Sequence, residues 1–258
     1  MTTPASASPS TEALSELAGH ALPAIDVDEF RKIVRTRRAI RRFTAEDVPD
    51  AVLDDCLDLA MLAPNSCNLQ PWNFYVVRDA GVRQALAHAC LSQNAAKTAP
   101  VLIPVIARTA TWSRNCDLTL EYWPDEKLPG IVRNFYRRVA KIQYWQGPFS
   151  SFGLLKKFFY GAVGLFRPVP RGPYSQAEMR LWAAKSCALA AGNLMLALRA
   201  HGYDSCPMEG FDEVRVRKIL GLPGDAFVVM IVAAGKRGER SIYHSRYRFP
   251  REQFITRV

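Results

Sequence analysis

The sequence predicts one layered domain in which helices and strands alternate. Two continuous apolar runs, Val101–Ala107 and Ala226–Ala234, are typical of strands buried on both faces. A long, mostly apolar segment from Gln176 to His201 predicts a helix that is closed by Gly202. Such a helix belongs either in a protein core or at a subunit interface. A chain of 258 residues, 49% of them hydrophobic, is long enough to bury such a core.

The remaining elements follow from periodicity and from helix start and stop signals. Acidic residues at Asp26 and Asp28 precede an apolar stripe and predict a helix from about residue 26. Pro49-Asp50 opens a second helix, which Pro64 stops. The other predicted elements are a strand at 73–78 and helices at 80–91 and 212–220.

The first 24 residues predict a disordered arm, because they are rich in Ser, Thr, Ala and Pro. This arm lacks the basic start and apolar core of a secretory signal. No uninterrupted apolar run approaches the roughly 20 residues needed to cross a bilayer. The six cysteines are scattered without a C-x-x-C pair, which favours reduced thiols in a cytoplasmic protein. We therefore expect residues 25–258 to form one cytoplasmic domain, and we predict no metal site, since no H-E-x-x-H occurs.

The formal charge of +10 is concentrated in two places. Seven of the twelve residues from Arg31 to Arg42 are basic, and Lys236–Arg251 holds six more. Such clusters are typical of proteins that bind nucleic acid, a membrane surface or a small phosphorylated ligand, and they are also common on solvated faces.

Residues 112–175 differ from the rest of the chain in composition. They hold 14 of the 27 aromatic residues, together with the basic and apolar segment FGLLKKFFYGAVGLF at Phe152–Phe166. Three interpretations stay open: extra core around two helices, an aromatic lid over a site, or a surface that contacts a membrane or a partner.

Four motifs carry the functional prediction. The chain has neither a G-x-G-x-x-G after a predicted strand nor a phosphate-binding P-loop, so both kinds of nucleotide site are disfavoured. In their place stand RRAIRRF at Arg37–Phe43, APNSCNLQPW at Ala63–Trp72, CPMEGFD at Cys206–Asp212 and SRYRFP at Ser245–Pro250. In order and spacing these motifs resemble the FMN-dependent nitroreductase family, closest to the oxygen-insensitive bacterial NAD(P)H nitroreductases. The resemblance covers roughly Phe30 to the C-terminus.

The resemblance implies an α+β fold with a central mixed sheet flanked by helices, in an interlocked homodimer with two FMN sites at its interface. It places Arg37, Arg246 and Arg248 at the 5′-phosphate, where guanidinium forks suit a dianion. It places Arg41 against the N1/O2 edge of the flavin, where a cation stabilises the reduced ring. Ala39 stands where the family usually has Ser, so only its backbone is available there, and Arg38 stands where His or Arg is usual.

The other implied cofactor contacts come from two loops. Asn65, Ser66 and Asn68 are expected to serve the flavin of the other subunit, whereas Pro207, Met208, Glu209 and Gly210 lie along the ring near N5. The contact at the pyrimidine edge stays open among Ser92, Gln93, Asn94 and Lys97. Cys67 and Cys206 lie within these loops, either as redox partners of the flavin or as small buried filler.

The predicted function is that of an FMN-dependent oxidoreductase. Hydride passes from NAD(P)H through flavin N5 to a nitroaromatic, a quinone or a similar small acceptor by a ping-pong mechanism, and no side chain acts as a nucleophile. One alternative is another flavin reaction on this scaffold, such as reductive dehalogenation, azoline oxidation or flavin fragmentation. A less favoured alternative is a basic module that binds nucleic acid or an anionic membrane through Arg31–Arg42 and residues 152–166.

Overall fold

The computed structural model describes residues 24–258, so the disordered arm predicted for residues 1–24 lies outside the described part except for its last residue. Four strands form one sheet: β1 (Trp72–Phe74), β2 (Val101–Arg108), β3 (Asp204–Met208) and β4 (Ala226–Gly235). The helices are α1 (Val27–Thr36), α2 (Asp50–Met61), α3 (Ala80–Ala89), α4 (Asn94–Thr98), α5 (Trp112–Glu121), α6 (Gly130–Asn134), α7 (Ala140–Tyr144), α8 (Ser151–Val163), α9 (Gln176–Ala200) and α10 (Glu213–Leu220). A π-helical turn at Phe135–Val139 joins α6 to α7.

The sheet has the order β1-β2-β4-β3, and every neighbouring pair is antiparallel. The family resemblance implied a mixed sheet. Within residues 24–258, the only parallel pairing is an isolated bridge between Ala39 and Ser205. The two buried strands are where the sequence predicts them, at the centre. Strand β3 was not predicted from the sequence. It contains Pro207, whose missing amide donor is tolerated because β3 lies at the edge of the sheet. Strand β1 is shorter than predicted and continues only as a bridge at Val77.

The sheet separates two cores. Side chains of β2 alternate between them: Val101, Ile103 and Val105 pack with α2 and α9, while Leu102 and Ile106 pack with α3, α4 and α10. The pairing of β2 with β4 shifts register between Val105 and Ile106, which marks a β-bulge. Each face of the sheet therefore carries its own helical layer, as in an α+β fold.

Helix α9 has one face in the core and another that is exposed. One side of it is fully buried, with Ala183, Cys187 and Leu194 in the core, whereas Leu181 and Leu189 lie exposed on the other side. Among residues 24–258, α9 alone is long and apolar enough to span a membrane, yet half of the apolar window is buried inside the fold, as in core helices of globular proteins. The outward stripe is the part that core packing does not explain.

Residues 112–175 divide into two parts. Helices α5–α7 belong to the core, where Cys116, Tyr136 and Tyr144 are buried. Helix α8 buries only Gly153 and Lys156. The core interpretation of this region thus holds for its first half.

Candidate functional site

Five arginines line one cavity of about 500 Å³. Three come from the extended segment after α1, which is held between β3 and the C-terminal segment because Ile40 N–H donates to Ser205 O (3.1 Å) and Arg41 N–H donates to Ser241 O (2.8 Å). The other two come from the C-terminal segment itself. The lining arginines are Arg37, Arg38, Arg41, Arg246 and Arg248.

The C-terminal segment is fixed onto the end of α1 by two of these arginines. The guanidinium of Arg246 donates to the carbonyls of Val34 (3.3 Å) and Arg37, which lie at the C-terminus of α1. The guanidinium of Arg38 donates to the carbonyl of His244 (2.6 Å). Residues more than 200 positions apart in sequence are thereby brought together.

The cavity is strongly electropositive. Within residues 24–258, none of the five arginines forms an ion pair with a carboxylate. Desolvation lowers the pKa of Arg246, and the like charges of Arg37, Arg38 and Arg248 lower it further. A cluster of like charges without acidic partners is a site where an anion relieves repulsion, and guanidinium forks match phosphate oxygens.

The end of β3 lies beside this cavity. The bridge between Ala39 and Ser205 aligns the arginine segment with β3, and Arg41 Nη1 lies 3.4 Å from Cys206 Sγ. Of the four predicted ring contacts, Met208 is only 2% exposed, so its side chain packs in the core rather than facing the cavity. Pro207 is half-buried, and Glu209 and Gly210 are exposed.

Gly210 is held by a residue that the sequence left among four candidates. The side-chain amide of Gln93 donates to Gly210 O (2.8 Å), and a Cβ added at Gly210 would lie 3.2 Å from the same amide nitrogen. Neighbouring Asn94 donates to the hydroxyl of Tyr243 (3.2 Å), which lines the cavity. Gln93 therefore holds the loop that contains Gly210. Asn94 lies close to the cavity, and Lys97 is three residues further along α4.

The loop APNSCNLQPW has an unusual backbone. Cys67, Asn68 and Gln70 all have positive φ angles, of 57°, 47° and 41°. The Asn65 side chain stabilises this conformation, because its oxygen accepts from Gln70 N–H (2.8 Å) and its amide donates to Ala63 O (3.3 Å). Such a conformation is uncommon for residues with a Cβ and often marks a functional loop.

Side chains from α5, α7 and the π-helical turn between α6 and α7 form hydrogen bonds with this loop. The hydroxyl of Tyr144 lies 3.0 Å from Ser66 Oγ, and the hydroxyl of Tyr136 donates to Cys67 O (3.0 Å). The amide of Asn115 donates to Leu69 O (2.7 Å). One function of the first half of residues 112–175 is therefore to support the loop, a contact that sequence periodicity does not reveal.

The loop and the arginine cavity lie against opposite faces of the sheet. Ala63 and Leu69 pack into the core with α9, whereas Ile40 and Met208 pack into the other core. Within one chain, the structure therefore does not bring Asn65, Ser66 and Asn68 to the arginines. A second cavity of about 660 Å³ opens beside the loop, and its lining includes Asn68, Gln70, Arg114, Tyr122, Trp123 and Tyr136.

Sequence reasoning missed several residues at the arginine cavity. Tyr243, His244 and Phe249 contribute to its lining. Tyr243 and His244 directly precede the SRYRFP motif and Phe249 lies within it, so their signal was their position in an exposed segment that crosses the site.

All six cysteines are free. Burial raises the pKa of the Cys206 thiol in spite of the nearby Arg41 guanidinium, and it raises that of Cys187 to about 12. Cys206 is fully buried and stays protonated at neutral pH, which favours the filler interpretation over a redox role.

Comparison with known proteins identifies one family model and several relatives that are similar in sequence to this chain. A family model described as the nitroreductase family matches residues 34–236. A curated relative named NADH dehydrogenase, from Thermus thermophilus, is 31% identical over 234 residues, which covers 91% of this chain and 97% of the relative. A relative named oxygen-insensitive NADPH nitroreductase, from Helicobacter pylori, is 24% identical, covering 86% of this chain and 94% of the relative.

A solved structure has the same fold. It is the structure, in complex with FMN, of a protein from Exiguobacterium sibiricum described as a nitroreductase. The match has a TM-score of 0.65 and 24% identity, and it covers 93% of this chain and all of that one. The prediction of an α+β fold of this family is confirmed.

Proposed function

Because the chain belongs to the nitroreductase family, we propose that it is an FMN-dependent oxidoreductase that transfers hydride from NAD(P)H to a nitroaromatic, a quinone or a similar small acceptor. The observation that carries this proposal is the cavity lined by five arginines without an acidic partner among residues 24–258. The names of the relatives and the FMN in the Exiguobacterium structure support the same cofactor and reductant.

The residues present fit FMN. A phosphate monoester carries nearly two negative charges at neutral pH, which matches the uncompensated guanidinium groups of Arg37, Arg246 and Arg248. Arg41, between the cavity and β3, is the cation available to a flavin ring edge. The backbone of Ala39, which lines the cavity, and that of the exposed Glu209 and Gly210 would supply further polar groups on this side. When bound, FMN supplies the hydride chemistry at N5, so the protein needs no nucleophilic side chain.

The complete site requires two chains. The loop with Asn65, Ser66 and Asn68 lies against the opposite face of the sheet from the arginines of its own chain, so it can reach only the cofactor of a partner. The exposed stripe of Leu181 and Leu189 on α9 is the apolar surface that such a dimer would bury. The interlocked homodimer expected from the family resemblance is therefore part of the proposal.

The cavity beside the loop is the proposed acceptor site. Its aromatic lining, including Tyr122, Trp123 and Tyr136, suits a flat conjugated molecule, and its volume of about 660 Å³ lies in the range of small-molecule pockets. In the proposed dimer the same loop would approach the partner's flavin, so the acceptor would lie beside the cofactor. NAD(P)H and the acceptor would use this one opening in turn, which is a ping-pong scheme. The six unpaired cysteines are in keeping with the predicted cytoplasmic location.

The test begins with the purified protein. We expect a yellow protein that releases FMN on heating and is bleached anaerobically by NADH or NADPH. Steady-state rates with a nitroaromatic and with a quinone should give parallel double-reciprocal lines when the concentrations of both substrates are varied.

Two outcomes would decide against the proposal. A colourless protein with no affinity for FMN would refute the cofactor assignment and favour the basic binding module. Bound flavin that no pyridine nucleotide reduces would refute the reductase reaction and favour another chemistry on the scaffold, to be identified with halogenated phenols and azoline peptides as substrates.

A further inference from the structure

Helix α8 exposes a large apolar face. Phe158 is 71% exposed and Phe159 62%, and the chain just after the helix leaves Phe166 90% exposed. Exposed apolar residues are common singly, but a contiguous group of large ones marks a surface that contacts something apolar. The exposed large apolar residues of this face and its flanks are Phe149, Leu154, Leu155, Phe158, Phe159, Leu165 and Phe166.

The face is directed away from the protein body. At the rotation of an α-helix, the four large apolar residues Leu154, Leu155, Phe158 and Phe159 fall within an arc of roughly 140°, and Leu165 and Phe166 follow just after the helix ends at Val163. The opposite side carries Gly153 and Lys156, the two buried residues of the helix. A Cβ at Gly153 would lie 1.9 Å from Tyr174 O, so this side of α8 packs directly on backbone.

Lys156 fixes the orientation of α8. Its buried ammonium group donates to the carbonyls of Ile142 (3.1 Å), Gln143 (2.8 Å) and Trp145 (2.8 Å) at the end of α7. A cation at a helix C-terminus satisfies carbonyls that have no intrahelical partner. The apolar face is thus presented outward by a specific anchor on its back.

The segment that carries this face is rich in basic residues. From Lys127 to Ala177 the chain contains nine Lys or Arg residues and no Asp or Glu. Lys157 lies beside the apolar face, and Arg167 and Arg171 follow it, all three exposed. Exposed aromatic and leucine side chains flanked by basic residues are the composition of helices that lie in a membrane interface.

We propose that Phe149–Arg167 binds the surface of an anionic lipid bilayer, with α8 lying in the plane of the interface. A helix of 13 residues is too short to span a bilayer, so the attachment is peripheral. The exposed charges of Lys157, Arg167 and Arg171 favour acidic lipid over a second copy of the same face, because two such faces repel. No residue of Phe149–Arg167 lines the arginine cavity, so lipid binding and FMN binding can each fail without the other.

Vesicle flotation of the full chain tests the proposal. We expect the protein to float with vesicles of phosphatidylglycerol and phosphatidylcholine but not with pure phosphatidylcholine, and to dissociate as salt is raised. Phe158→Ser together with Phe159→Ser should weaken binding by about tenfold or more, since both buried aromatic rings are lost. Lys157→Gln together with Arg167→Gln should also reduce binding to the acidic vesicles.

Matched controls lie on α10, outside this region. Val214→Ser removes an equally exposed apolar side chain and Lys218→Gln removes an exposed charge, and neither should change flotation. Melting temperatures of all variants identify any that are misfolded. Absence of wild-type binding to acidic vesicles would overturn the proposal. So would a change in native mass in the Phe158→Ser, Phe159→Ser protein with unchanged flotation, which would assign the face to a second copy of the chain.

Discussion

Arg248 offers a sharp test of the arginine cavity. Its guanidinium lines the cavity and donates only to the carbonyl of its neighbour Tyr247 (2.8 Å) among residues 24–258. Arg246, in contrast, also holds the C-terminal segment on α1. Arg248→Gln therefore removes a ligand contact with little structural consequence.

The expected effects on the protein with and without cofactor are opposite in sign. A charge-assisted hydrogen bond to phosphate contributes about 1.5–3 kcal/mol, so FMN affinity should fall about 10- to 100-fold. Riboflavin, which lacks the phosphate, should bind the variant and the wild type equally. Without FMN, removal of one of five clustered positive charges relieves repulsion, so the melting temperature should stay the same or rise.

Quenching of flavin fluorescence measures both affinities on protein freed of its cofactor. Arg251→Gln is the matched control, because Arg251 is an exposed arginine of the same basic segment that does not line the cavity. Equal losses of FMN and riboflavin affinity in Arg248→Gln would refute the phosphate assignment. An equal loss in Arg251→Gln would show that general charge, rather than the cavity, attracts FMN.

Three further predictions address the dimer, the loop and the buried lysine. Leu189→Lys places a charge on the outward stripe of α9, so light scattering should show monomers and the FMN content should fall; an intact dimer would contradict the interface. Tyr144→Phe removes the hydroxyl beside Ser66 Oγ. It should lower the free energy of unfolding by about 1 kcal/mol and reduce turnover. Unchanged values of both would show that the loop does not need this hydrogen bond. Burial lowers the pKa of Lys156 from 10.5 to about 8, so the unfolded chain binds more protons between these values. Its contribution to the free energy of unfolding should therefore rise by about 2 kcal/mol from pH 7.5 to 9.5 in urea denaturation, and this rise should be absent in Lys156→Met.

Local sequence patterns predicted most of the fold. The apolar runs of β2 and β4 and the long helix α9 were predicted because burial on both faces, or around most of a helix, leaves a continuous apolar signature. Strand β3 was missed because an edge strand is selected by its neighbour, here β4, rather than by its own composition.

For the site, the sequence supplied the residue types and the structure supplied their grouping. The motifs marked the arginines and the loop, and the structure places the arginines around one cavity and the loop on the other face of the sheet. The Met208 side chain is buried in the core, and Tyr243 and Phe249 also line the cavity. The support of the loop by Tyr136 and Tyr144 was not foreseen, since hydrogen bonds between residues some 70 positions apart leave no local pattern.

The sequence by itself determined the class of fold, the family and the chemical character of the site, because periodicity, charge and short motifs are local properties of the chain. Only the tertiary structure decided which charges meet, which face of the sheet each motif occupies and which side of α8 lies exposed. These depend on contacts between distant segments. Their geometry is set by packing of the whole domain, which no single stretch of residues specifies.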